Sequence, residues 1–144
     1  MLIQDIMTKR IVSVHMDDTL AHVKHLFDTH KFHHLLVVEE NKLVGVLSDR
    51  DLFKALSPNA GTPSETTKDA ASLHKRVHQI MSRDLVTIPP RAGLLKAVKL
   101  FNEFRVSCIP VIDDNIKPIG ILSWRDIFEY MEMNQQQKRF VNNP

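Results

Sequence analysis

The chain has 144 residues, 43% hydrophobic and 25% charged, with a formal net charge of +2 and one cysteine, Cys108. This fits a soluble globular protein, either one compact domain or two half-domains sharing a core, and so small a charge does not argue for nucleic acid or an anionic membrane surface. A lone cysteine excludes an intrachain disulfide and suits a reducing compartment, and there is neither a signal-peptide pattern at Met1–Asp5 nor an apolar run of bilayer length, so a cytoplasmic location is expected.

In chain order the sequence reads twice through one plan, at an offset of 74 residues that becomes 75 after one insertion. Ile6-Met7-Thr8 returns as Ile80-Met81-Ser82, and the β-rich run Ile11-Val12-Ser13-Val14 as Leu85-Val86-Thr87-Ile88. Asp18-Thr19 then precedes Leu20, Val23, Leu26 and Phe27, apolar at helical spacing behind a capping residue. The counterpart is Leu94, Ala97, Leu100 and Phe101, its stripe widened by Leu95 and Val98. Leu35–Val38 and Ile109–Ile112 are continuous apolar runs suited to buried strands. Polar turns follow, at Glu39–Lys42 and Asp113–Lys117, and the second carries the insertion. Leu43–Leu47 and Pro118–Leu122 are the next strands, and the closing helices are expected to bury Leu52, Phe53 and Leu56 in one half and Ile127, Phe128 and Met131 in the other. Each half is thus β-α-β-β-α, and a three-stranded half needs a partner to cover its sheet. Ser57–Ser64 reads as a loop and Lys68–Arg76 as a short helix, while Met133–Pro144 is a polar tail expected to fray.

The most informative stretch is Gly45-Val46-Leu47-Ser48-Asp49-Arg50-Asp51, which returns as Gly120-Ile121-Leu122-Ser123-Trp124-Arg125-Asp126. Each copy is a strand end turning into a helix, with Ser as N-cap and an Asp three positions on to complete a capping box. Arg50 and Arg125 then fall at the second helical position, where a cation opposes the helix dipole by roughly 0.3–1 kcal/mol unless an anion compensates it. Helix N-termini bind phosphate, and Asp51 and Asp126 could accept hydrogen bonds from ribose hydroxyls. The alternative is plain capping. Together these features predict a pair of nucleotide-binding corners.

The ordered landmarks, Ile6-Met7-Thr8 and Ile80-Met81-Ser82, Ile109-Pro110-Val111 and the two Gly-x-x-Ser-x-x-Asp corners, resemble a tandem pair of cystathionine beta-synthase (CBS) domains, a Bateman module, here without an attached catalytic domain. The resemblance implies an α/β (α+β) fold of two β-α-β-β-α repeats packed about a pseudo-twofold axis. It covers residues 1–56 and 77–132, leaving 57–76 as an inter-repeat loop and helix and 133–144 as a tail. It further implies clefts between the repeats for adenosine nucleotides or S-adenosylmethionine. In such sites the corner Asp (Asp51, Asp126) holds ribose, and the Ser with basic neighbours (Ser48, Arg50; Ser123, Arg125) holds phosphate. Thr8 and Ser82, with Val12, Ser13, Val86 and Thr87 of the first strands, line the ribose and adenine side. His33 and His34, and Ser107 and Cys108 with Ile109 and Pro110, face the cleft. Leu35-Leu36-Val37 departs from the family by lacking the proline that repeat two has at Pro110.

The two corners are expected to be unequal. Asp49 stands where repeat two has Trp124, so a phosphate at the first corner meets an extra carboxylate, and tighter binding is expected at Ser123, Arg125 and Asp126. Trp124 could stack on a base or anchor a protein interface. A protonated His33 or His34 could pair with phosphate, making affinity fall as pH rises; a buried, hydrogen-bonded imidazole is the equal alternative. His22 and His25 lack the ligand set a zinc site needs and read as a solvated helix face. Cys108 and the methionines read as packing residues, and no nucleophile–base arrangement or Gly-rich phosphate loop is present. The expected function is therefore non-catalytic: an AMP-, ADP- or ATP-binding regulatory module, homodimeric by resemblance, that reports occupancy to a protein partner the sequence does not identify. A constitutive dimerisation or assembly module without a small-molecule ligand is the alternative.

Overall fold

The structure, a computed structural model, describes residues 1–142, the last five of these by backbone alone. The chain divides into two compact units, residues 12–85 and residues 1–11 with 86–144. Neither unit is a sequence repeat. Each takes the helices and paired strands of one repeat and the opening segment of the other.

In the unit of residues 12–85, β1 (Ser13–Val14) pairs in parallel with β2 (His34–Glu39), which pairs antiparallel with β3 (Lys42–Ser48). Thr19 caps α2 (Leu20–Thr29) by accepting from the His22 N–H, and the apolar face of this helix sends Leu20 and Val23 fully into the core. β2 and β3 turn through Glu40 and Asn41, both at positive φ, as a two-residue hairpin requires. β3 runs into α3 (Asp49–Ala55), and α4 (Thr67–Leu73) follows the loop with its own capping box from Thr66 and Asp69. The core gathers Val14, Leu20, Val23, Leu35, Val37, Leu47 and Leu52, and is completed by Val77 and Met81 from the start of repeat two. The Val77 N–H donates to the Asp18 carbonyl at 2.9 Å and the His78 N–H to the Met16 carbonyl at 3.0 Å.

The other unit repeats this with the roles exchanged. A short helix, α1 (Ile3–Ile6), sets the fully buried Ile3 among Ile88, Ala97, Ile109, Val111 and Leu122. The Ile3 N–H donates to the Ala92 carbonyl and the Gln4 N–H to the Pro90 carbonyl, each at 2.9 Å. α5 (Leu94–Phe104) buries Ala97 and Phe101, and β4 (Cys108–Ile112) pairs antiparallel with β5 (Pro118–Ser123). Leu85–Ile88 does not form the expected strand. Only Ile88 bridges, in parallel, to Val111, because Pro89 and Pro90 follow and cannot donate to a ladder.

Two further expectations are corrected. Leu52 and Ile127 are buried as read, but Phe53 is 65% exposed, Phe128 62% and Met131 55%. Phe53 and Phe128 stand next to the buried Leu52 and Ile127 and so rotate outward by about 100°, whereas Met131, four positions after Ile127, keeps near the buried face but lies exposed. The tail does not fray at Met133 either: α6 runs unbroken over Trp124–Asn142, its Gln, Glu, Met and Lys being good helix formers uninterrupted by Gly or Pro. Residues 143 and 144 lie outside the described residues. No helix among the described residues is long and apolar enough to cross a membrane.

Candidate functional site

Both Ser-x-x-Asp corners fold as capping boxes. At the first, the Ser48 N–H donates to Asp51 Oδ2 at 2.9 Å, and the Asp51 N–H returns a bond to Ser48 Oγ at 3.1 Å. At the second, the Ser123 N–H donates to Asp126 Oδ2 at 2.9 Å and the Asp126 N–H to Ser123 Oγ at 3.4 Å. Capping is thus real at both corners. It uses one oxygen of each aspartate and leaves Arg50 and Arg125 exposed, without an ion pair among the described residues.

The opening segment of the opposite repeat closes each corner. Ser82 and Val46 exchange backbone hydrogen bonds at 2.9 and 3.1 Å, and Thr8 and Ile121 do the same at 2.9 Å in both directions. Beneath these bridges, Met81 and Met7 lie on the strand glycines. A Cβ on Gly45 would stand 2.7 Å from Met81 Sδ, and one on Gly120 2.5 Å from Met7 Sδ. This explains a Gly three residues before each capping Ser: a thioether takes the place of its side chain. The signal was present in the sequence as Met and Gly at matching offsets, but only the fold says which Met meets which Gly.

All the residues expected to line a site fall into two sets, one per unit. Val12, Ser13, His33, His34, Ser48, Arg50, Asp51 and Ser82 share one unit. Thr8, Val86, Thr87, Ser107, Cys108, Ile109, Pro110, Ser123, Arg125 and Asp126 share the other. Val12 joins its set through its carbonyl, which accepts from the Leu36 N–H, and His34 lies across from Ser48 in the β2–β3 register. In the second set, Cys108 lies across from Ser123. The side chains of Cys108, Ile109 and Pro110 are buried, with Ile109 in the core, so they offer little surface; Ser107 is exposed. Burial pushes the Cys108 thiol up to about 12, as suits a packing residue and not a nucleophile.

The electrostatics of the two corners differ. His33 Nδ1 lies 2.9 Å from Asp49 Oδ2, and the Asp49 N–H donates to the His33 carbonyl at 3.0 Å, so the extra carboxylate is turned to an imidazole. Burial lowers the pKa of His34 below the ordinary histidine value, a shift opposed by Asp49, reinforced by His33 and opposed again by Asp51. Of the two readings for His34, the neutral imidazole is the one this environment favours. Where Asp49 stands in repeat one, Trp124 leans edge-on against Phe101, ring centroids 6.3 Å apart, and stays 52% exposed. A shallow depression of about 310 Å³ lies beside Asp126, lined by residues that include Met1, Asp5, Glu129 and Tyr130.

A family model described as CBS domain matches residues 3–58 and 77–133. A CBS domain-containing protein of Dictyostelium discoideum is 30% identical over 132 residues, covering 90% of each chain. Two other curated relatives, both from Methanocaldococcus jannaschii, are longer, and the chain spans 22% and 46% of their length. Among solved structures, the CBS domain pair of protein MJ0100 in complex with 5′-methylthioadenosine and S-adenosyl-L-methionine superposes with a TM-score of 0.76 at 24% identity, covering 93% of this chain and 98% of that one. The cytosolic domain of the Mg²⁺ channel MgtE in complex with ATP gives 0.69 at 23% identity, covering 86% of this chain and 46% of that one. Likenesses at these identities speak for the fold.

Proposed function

This chain belongs to the CBS domain family, and from that premise we propose that it is a non-catalytic regulatory module whose corners take an adenosine nucleotide of the AMP, ADP or ATP type. The observation that carries this reading is the state of the corners. Each pairs a capped strand-to-helix junction and an exposed arginine, without an ion pair among the described residues, with a carboxylate that gives one oxygen to its own cap. Phosphate suits the arginine, and a ribose diol suits the carboxylate. The adenosine ligands of the MJ0100 and MgtE structures support the same ligand class. Bound nucleotide would act by population shift, favouring whichever arrangement of the module binds it better and passing that preference to a cytoplasmic protein partner.

Thermal unfolding across AMP, ADP, ATP and S-adenosylmethionine tests the proposal, because a ligand of the folded state raises stability by mass action. At 100 times its Kd, such a ligand adds about 2.7 kcal/mol. Asp126→Ala is expected to reduce that gain more than Asp51→Ala. No gain with any of the four would leave the second reading, a constitutive homodimeric assembly module. That reading is favoured by the exposed stripe of Trp124, Phe128 and Met131, which recur at i, i+4 and i+7 along α6.

A further inference from the structure

The two corner carboxylates are not held alike. Asp126 has both oxygens engaged: Oδ2 by the Ser123 N–H at 2.9 Å and Ser123 Oγ at 3.2 Å, and Oδ1 by the Thr8 hydroxyl at 3.0 Å. Thr8 lies 118 positions away in the chain and belongs, by sequence, to the other repeat. Its counterpart at the first corner, Ser82, makes the same backbone bridge but donates no side-chain hydrogen bond to Asp51 among the described residues. Ser82 and Thr8 occupy equivalent positions, so the difference is one of side-chain geometry and not of topology.

We infer that Thr8 is the positioning residue of the second corner: by donating to Asp126 Oδ1 it fixes the plane of that carboxylate, so that the ribose-binding group of repeat two is preset by the opening segment of repeat one. The inference rests on the adenosine-nucleotide reading. A carboxylate oxygen accepts more than one hydrogen bond, so Thr8 leaves room for a ribose hydroxyl on Oδ1 while removing the rotation that binding would otherwise have to freeze. Asp51 is held through Oδ2 by its cap but lacks this brace among the described residues, so the setting of its other oxygen is left to the ligand. Two consequences follow. The second corner binds a ribose diol more tightly than the first, and its affinity answers to a residue at the start of the chain, remote in sequence from every other member of the corner.

The test is a nucleotide titration of the full chain by NMR, with the backbone amides of Ser48 and Ser123 reporting the two corners separately. The probes are AMP and 2′,3′-dideoxy-AMP, which lacks the diol. Thr8→Val keeps the shape and the backbone bridge to Ile121 and removes only the donor; Thr8→Ala serves if the valine variant fails to fold. The expected result is an AMP affinity at Ser123 lowered about tenfold, the usual scale of a lost hydrogen bond to a charged group, with Ser48 unaffected. For the dideoxy nucleotide the loss should be below about twofold, and Thr8→Ser should restore AMP binding. An equal loss for both nucleotides would mark Thr8 as merely structural and overturn the inference, as would no loss at all. A wild-type Ser123 amide that ignores AMP while Ser48 responds overturns the inference alone; silence at both amides overturns it together with the proposed function.

Discussion

At the corner of Ser48, Asp49 opens the helix and turns its carboxylate to His33; at the corner of Ser123, the same place holds Trp124, tilted edge-on against Phe101. One residue earlier and two later the corners match, with the same Ser cap, the same Asp reaching back and the same exposed Arg. The lesson is about what a duplicated unit must keep. Backbone groups at a helix start need partners whatever the site binds, so the cap is common to both copies. The side chains around the cap answer to ligand or neighbour, and there the copies part.

Three changes would break or sharpen that comparison. The largest effect is expected at the strand glycines. Gly45→Ala meets Met81 Sδ at 2.7 Å and also the Ser82 backbone carbonyl at 3.2 Å, whereas the three atoms nearest to a Cβ on Gly120 all belong to the Met7 side chain. Both should destabilise, by about 1–3 kcal/mol, with Gly45→Ala at the upper end because a carbonyl yields less readily than a thioether. Urea unfolding decides it, and equal losses would mean that the two corners are closed with equal slack.

A smaller effect is expected at the hairpins. Asn41 tolerates its φ of 65°, but Ile116, a β-branched residue, holds 63° in the longer turn between β4 and β5. Ile116 is 45% exposed, so Ile116→Asn gives up little packing and should stabilise by about 0.5–1 kcal/mol. An unchanged or lower midpoint in denaturant would show that the isoleucine earns its place by contacts.

The smallest effect separates the units by pH. His34 and Cys108 are equivalent positions, and burial pushes each toward its neutral form. For His34 the folded pKa lies below the unfolded value, so its contribution is intact above the ordinary 6.5 and is lost as pH falls through the folded value. For Cys108 the folded pKa is raised to about 12, so its contribution is intact below the ordinary 9.0 and is lost as pH rises beyond that. His34→Cys should therefore flatten the acid side of the stability profile and leave the alkaline side steeper. Denaturant midpoints between pH 5 and pH 10 measure both slopes, and an acid limb that survives the substitution would assign it to another group.

The element plan, the capping boxes and the residues of each corner were legible in the chain because they depend on local periodicity and on spacings of three and four. The first strand of repeat two was misread because Val86, Thr87 and Ile88 have strand propensity, and the effect of Pro89 and Pro90 appears only when a partner strand seeks donors. Phe53, Phe128 and Met131 were assigned inward because hydrophobicity marks a side chain that would gain from burial, not one that finds a cover. The anchors Ile3 and Val77 were overlooked, although they stand 74 apart and each precedes an isoleucine by three.

The sequence by itself determined that there are two copies of one unit and that each makes the same turn from strand to capped helix. Only the tertiary structure decided that each opening segment, with its anchor, its methionine and its hydroxyl, completes the unit holding the other repeat's helices. Ile3 and Val77 have equivalent neighbours and equal appetite for an apolar pocket, so no local pattern says which pocket either enters. That choice belongs to long-range packing, where burial of a side chain and closure of a backbone bridge are gained together, and a one-dimensional pattern contains neither.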